Sequence, residues 1–178
     1  MKITVIDTNV LLVANGDHTD VSYECRIACI NKLIACRTSG IIVIDAGFLI
    51  LQEYQKRTFP NQPKGVGDEF LKWLLQNKSN RQRVHIVQIN EFEKDFFVEF
   101  SDKDLQTEFD TSDRKFVAVA MAHHKKPPIL QATDSKWLNW SKRLKRLGVV
   151  VEFVCLADAK RFYAEKFPQQ DIQELLND

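Results

Sequence analysis

Five short runs of apolar residues punctuate the chain, at positions 3–6, 41–44, 84–89, 129–132 and 149–154. Four are rich in Val and Ile, and those that stay apolar without alternating predict strands of a parallel sheet covered on both faces. Between them, apolar residues recur at helical spacing over 21–36, 48–56, 69–76, 114–123, 137–147 and 157–167. Strands alternating with helices predict an α/β architecture of three layers, joined by right-handed crossovers. The stretch 58–67 holds Pro60, Pro63, Gly65 and Gly67 and reads as a loop, entering a loop-and-helix insertion over 58–83. Residues 157–178 read as a C-terminal helical extension whose end, 172–176, either docks as a short helix or frays. One domain spanning 1–178 is expected.

Composition narrows the class without naming it. The chain has 178 residues, 44% apolar and 28% charged, with only 6 Gly and 5 Pro, which excludes collagen-like, coiled-coil and disordered readings. The net charge of +1 argues at first against a nucleic-acid partner. Its distribution changes that picture: residues 91–113 carry −7 and residues 114–146 carry +8. A near-neutral total thus hides an acidic block joined to a basic one, either of which can be a solvated face.

Met1-Lys-Ile-Thr-Val-Ile-Asp7 brings an acid too early for a signal-peptide core, and no stretch has the ~20 apolar residues that cross a bilayer. A cytoplasmic protein without a membrane partner is expected. Cys25, Cys29 and Cys36 share one helical face, and Cys155 lies far along the chain. These are expected to be buried, reduced thiols rather than a metal site.

Ligands of open parallel sheets bind beyond the carboxyl ends of the strands, so acids there carry the most information. Asp7 ends the first run and Asp134 follows the fourth; each is also a good helix N-cap. Glu53 projects from a helix that presents Leu49 and Ile50 one turn earlier, where an unpaired carboxylate is costly. Asp113 opens the helix Arg-Lys-Phe-Val-Ala-Val-Ala, with Ser112 before it as the expected cap. Four carboxylates converging on one crevice require neutralisation, and an all-oxygen ligand set selects Mg²⁺ or Mn²⁺. The chemistry that uses this arrangement is metal-assisted phosphodiester hydrolysis.

The phrases Ile6-Asp7-Thr8-Asn9-Val10-Leu11, Ile50-Leu51-Gln52-Glu53, Asp113-Arg-Lys-Phe-Val-Ala-Val-Ala and Ala132-Thr133-Asp134-Ser-Lys-Trp137 stand in the order and spacing of a PIN domain. The resemblance covers about residues 1–155, more closely at both ends than across 58–105. It implies a Rossmann-like PIN fold and a Mg²⁺- or Mn²⁺-dependent endonuclease, usually a ribonuclease. By position, Asp7, Glu53, Asp113 and Asp134 would be the catalytic, metal-binding acids, with Asn9 ordering the first loop. Where the family often has a further acid near the last aspartate, this chain has Lys136, which would leave one tightly held ion; Asp110 is the candidate substitute.

On the substrate side, Lys136, Lys142, Arg143, Lys145 and Arg146 follow Asp134 closely and are expected to hold phosphates of single-stranded RNA. Trp137 and Trp140 could stack on bases, but their spacing with Leu144 and Leu147 favours the core. His123 and His124 are not expected to be catalytic. A toxin of a toxin–antitoxin pair, with an antitoxin or a second copy as partner, is one extension of the resemblance. The alternative from another class is a catalytically weak PIN-like domain used for binding or scaffolding. A phosphatase with an aspartyl nucleophile needs an acid at position 9, where Asn9 stands.

Overall fold

The computed structural model describes residues 1–170; the short helix expected over 172–176 lies outside the described residues. Five strands, β1 (Ile3–Ile6), β2 (Ile41–Asp45), β3 (Val84–Val87), β6 (Ile129–Gln131) and β7 (Val151–Phe153), form one all-parallel sheet in the order β3-β2-β1-β6-β7. The expected three-layer α/β, Rossmann-like architecture is therefore present. The intervening β4 (Glu91–Glu93) and β5 (Phe96–Phe97) form a separate antiparallel hairpin.

Strand order dictates where the helices go. The chain steps outward from β1 to β2 and β3, then returns to place β6 and β7 on the other side of β1. With right-handed crossovers, the helices of the first two steps cover one face and those of the later steps the other. On the first face α1 (Thr8–Asn15), α2 (Tyr23–Ser39) and α4 (Val66–Asn77) pack on one another, while α6 (Arg114–Ala122) lies against β1, β2 and β6. The direction of travel reverses between β1 and β6, which opens a crevice beyond their carboxyl ends.

α1 had no periodic signature, and its environment explains why. Val10, Leu11, Val13 and Ala14 are fully buried between sheet, α2 and α4, and a helix enclosed on most sides shows no polar stripe. Gly67 is the point of closest approach: a Cβ there would lie 2.3 Å from the Leu11 carbonyl oxygen of α1. The loop before it is organised by Asp68, whose carboxylate accepts the Phe59 and Lys64 backbone N–H groups at 3.0 and 2.9 Å and the Asn15 amide at 2.8 Å. Phe70, Leu71 and Leu74 of α4 join the main core. Also unanticipated was α5 (Lys103–Glu108), capped by Asp102 through the Leu105 N–H at 2.8 Å. The remaining helices are α3 (Leu49–Arg57), α7 (Trp137–Arg146) and α8 (Leu156–Lys166). Among the described residues no helix is long and apolar enough to cross a membrane.

The expectation of four reduced thiols is corrected. Cys25 of α2 and Cys155, at the start of α8, form a disulfide, while Cys29 and Cys36 are free and buried. Separation along the chain misled: β7 delivers Cys155 onto the cysteine face of α2, with its Sγ 3.6 Å from that of Cys29. Closing a loop of 130 residues stabilises the fold by ~5 kcal/mol in the chain-entropy view. Thiol titration of the denatured, non-reduced protein should therefore find two free cysteines, and reductant should lower the unfolding free energy by about that amount. Four titratable thiols in protein kept under air would contradict the pairing.

Candidate active site

The crevice between β1 and β6 is a cleft of about 500 Å³ whose wall includes Asp7, Glu53, Asp113 and Asp134. Each acid arrives on its own element. Asp7 follows β1 and caps α1, accepting the Asn9 N–H at 2.8 Å, so capping and site roles coincide in one carboxylate. Asp134 follows β6 and accepts the Lys136 N–H at 3.1 Å. Asp113 occupies the N-cap position of α6 without capping it. Ser112, expected as the cap, instead donates to the Asp113 carboxylate at 3.2 Å, as does the Trp137 indole N–H at 3.2 Å.

Glu53 is the best anchored of the four. Its helix α3 is capped by Asp45, the acid at the end of β2, through the Leu49 and Ile50 N–H groups at 2.7 and 3.0 Å. Asp45 is fully buried and belongs to the capping class alone. Tyr54, fully buried beside Glu53, donates its hydroxyl to the Ile6 carbonyl, fixing α3 against the strand that ends in Asp7. Thr8 donates to one oxygen of Glu53, and Lys115 forms an ion pair with the other while also donating to the Ser112 carbonyl. Asn9 ties the two sides of the crevice together: its side-chain oxygen accepts both the backbone N–H and the hydroxyl of Thr133, at 2.8 and 3.0 Å.

Crowding of negative charge is visible in the proton affinities. Burial first, then the Asp113 carboxylate, holds Asp7 well above the usual carboxylate range, against the opposing Asn9 hydrogen bond. Burial followed by Asp134 and Asp110 pushes Asp113 up to about 7, and burial raises Asp134 as well. Among the described residues Asp7, Asp113 and Asp134 make no ion pair. Nor do any three of the four acids bring oxygens within 4.8 Å of one another; the one such trio of metal-ligating types is Cys25, Cys29 and Cys155, two of which form the disulfide. Each of the three aspartates accepts from its own donor. Carboxylate oxygens are the donor type that hard cations such as Mg²⁺ and Mn²⁺ take.

The supporting and substrate-side residues fall elsewhere. Asp110 pairs with Lys136, and neither lines the cleft, although both charges act on Asp134, which does. Arg143 grips Asp102 with contacts of 3.0 and 2.9 Å and reaches Glu108 at 2.6 Å, so the basic block partly neutralises the acidic one. None of Lys136, Lys142, Arg143, Lys145 and Arg146 lines the cleft. Trp137 and Trp140 are buried against Phe109, with ring centroids 5.2 and 3.9 Å away. Missed by sequence reasoning were Thr8, His18, Lys56, Arg57, Asp95 and Lys115, all on the cleft wall. Lys56 and Arg57 had a findable signal, since they stand three and four residues after Glu53 and share its helix face. Asp95 had none, because the hairpin that carries it was not foreseen. Comparison with family models, curated proteins and solved structures finds no match.

These proton affinities set a stability profile. Asp113 keeps its proton in the folded protein up to about pH 7, against an ordinary value of 3.8, so the folded state binds the extra proton between those limits. The contribution of this group is full below about pH 4 and is lost as pH rises through 7, by up to ~4 kcal/mol. Urea unfolding in EDTA should show this fall, Asp113→Asn should flatten it, and Mn²⁺ should restore stability to the parent above pH 7. A parent protein equally stable at pH 5 and pH 8 in EDTA would contradict the crowding.

Proposed function

We propose that the protein is a Mg²⁺- or Mn²⁺-dependent nuclease that hydrolyses phosphodiester bonds in single-stranded RNA, with a PIN-like site. The observation that carries this reading is that four carboxylates from four separate elements line one cleft at the sheet's switch point. A structural role accounts for Asp45, which satisfies two N–H groups in the core, but leaves Asp113 and its raised proton affinity without purpose. Perturbed carboxylates gathered in a cleft are a mark of functional sites.

The residues then divide the work. Asp7, Asp113 and Asp134 would hold the cation, which when bound lowers the pKa of its water and stabilises charge developing on phosphate. Glu53, held by Thr8 and Lys115, would orient the attacking water. Lys115 pairs with Glu53 and adds a positive charge on the cleft wall. Asn9 holds the loops after β1 and β6 in register, so that Asp7 and Asp134 face the same space. Trp137 and Ser112 hold the Asp113 carboxylate by two donors.

Asp7→Asn should lower cleavage of single-stranded RNA in Mn²⁺ by ~10³-fold or more, the scale of several kcal/mol of lost metal assistance, while circular dichroism stays that of the parent. EDTA should abolish the parent's activity. Cleavage that persists in EDTA, or in purified Asp7→Asn protein, would end the metal-nuclease reading.

A further inference from the structure

A polyanion must be held beside four carboxylates, and the cations able to do so are those not already committed to protein acids. Lys136 is committed to Asp110, Arg143 to Asp102 and Glu108, and Lys115 to Glu53. Lys56 and Arg57 differ. Both are exposed, both line the cleft, and among the described residues neither makes a hydrogen bond or an ion pair. They end α3, about one turn, or ~5 Å of axis, beyond Glu53 on the same face.

Cations in the last turn of a helix are favourable with its dipole whatever else they do. That accounts for basic residues at this end of α3 but not for their placement on the wall that carries Glu53. Nor does the dipole cancel them for an incoming anion, because its carboxyl end amounts to about −0.5 charge against two full positive charges. With Tyr54 buried under the same helix and bonded to β1, the pair sits on a support fixed relative to the acids.

Resting on the nuclease reading above, we propose that Lys56 and Arg57 are the phosphate-binding subsite for the substrate strand, holding the phosphate next to the one cleaved, so that the strand runs along α3 rather than across the basic face of α7. The contacts are to backbone phosphates and carry no base preference.

The test uses the full chain. Binding of a short fluorescein-labelled single-stranded RNA is measured by anisotropy over a salt series, on an Asp7→Asn background that prevents cleavage, with and without Lys56→Ser and Arg57→Ser. Mn²⁺ uptake is measured by calorimetry on the chain with Asp7 intact, again with and without the two serines. The expected result is RNA affinity weakened ~10-fold by loss of two exposed charge pairs, a salt slope reduced by about 1.4, and unchanged Mn²⁺ uptake. Parent-like affinity and slope in the serine variant, or no RNA binding by the Asp7→Asn parent, overturns the α3 subsite. So does loss of RNA binding through Lys145→Ser and Arg146→Ser with none through α3. Failure of the Asp7-intact chain to take up Mn²⁺ instead strikes the nuclease reading, whatever the serine variants do to RNA.

Discussion

Repulsion among buried carboxylates is the constraint around which this end of the molecule is arranged. Three aspartates with raised proton affinities face one cleft without a protein cation between them, a configuration that opposes folding whenever they are ionised together. Every neighbouring device counters the tendency to spread. Tyr54 bolts α3 to β1, Asn9 bolts the β1 loop to the β6 loop, and Trp137 and Ser112 hold Asp113 in place. The apolar interior around β1, from Val5 and Ile6 to Ile129 and Leu130, supplies the rigidity that these hydrogen bonds direct.

The acids themselves separate into two kinds by what they satisfy. Asp45, Asp68 and Asp102 each accept backbone N–H groups and organise a helix start or a loop. Asp7 does this and faces the cleft as well, while Asp113 caps nothing. The same side chain type at the same kind of junction thus serves folding in one place and strains it in another. What distinguishes Asp113 is that its donors are two side chains, Ser112 and Trp137, and none is a backbone N–H group. Lys115 occupies the boundary between the two kinds, neutralising Glu53 where the cleft meets α6.

Much of this was legible along the chain. The parallel sheet followed from short Val- and Ile-rich runs; Asp7, Asp113 and Asp134 stood out at strand ends and a helix start, and Glu53 as a carboxylate on an apolar helix face. Less legible was whatever depended on contacts between distant segments. The disulfide escaped because Cys25 and Cys155 are joined only through the position of β7 at the sheet edge. The basic block of α7 resembled a phosphate-binding face, yet Arg143 is engaged by acids of α5 and its cap, a helix too short to announce itself. Helix α1, apolar on nearly every side, concealed its period by being well buried.

Trp137 carries a consequence of a different order. Its indole is fully buried and stacks edge-on to Phe109, yet its N–H donates to the same Asp113 carboxylate that faces the cleft. Proton or cation arriving at that carboxylate alters the electric environment of a chromophore that solvent does not reach. The protein therefore holds an intrinsic optical label wired to its charged centre, and events in the cleft can be followed by light absorbed and emitted from the core, with no dye attached to the surface where a substrate would pass.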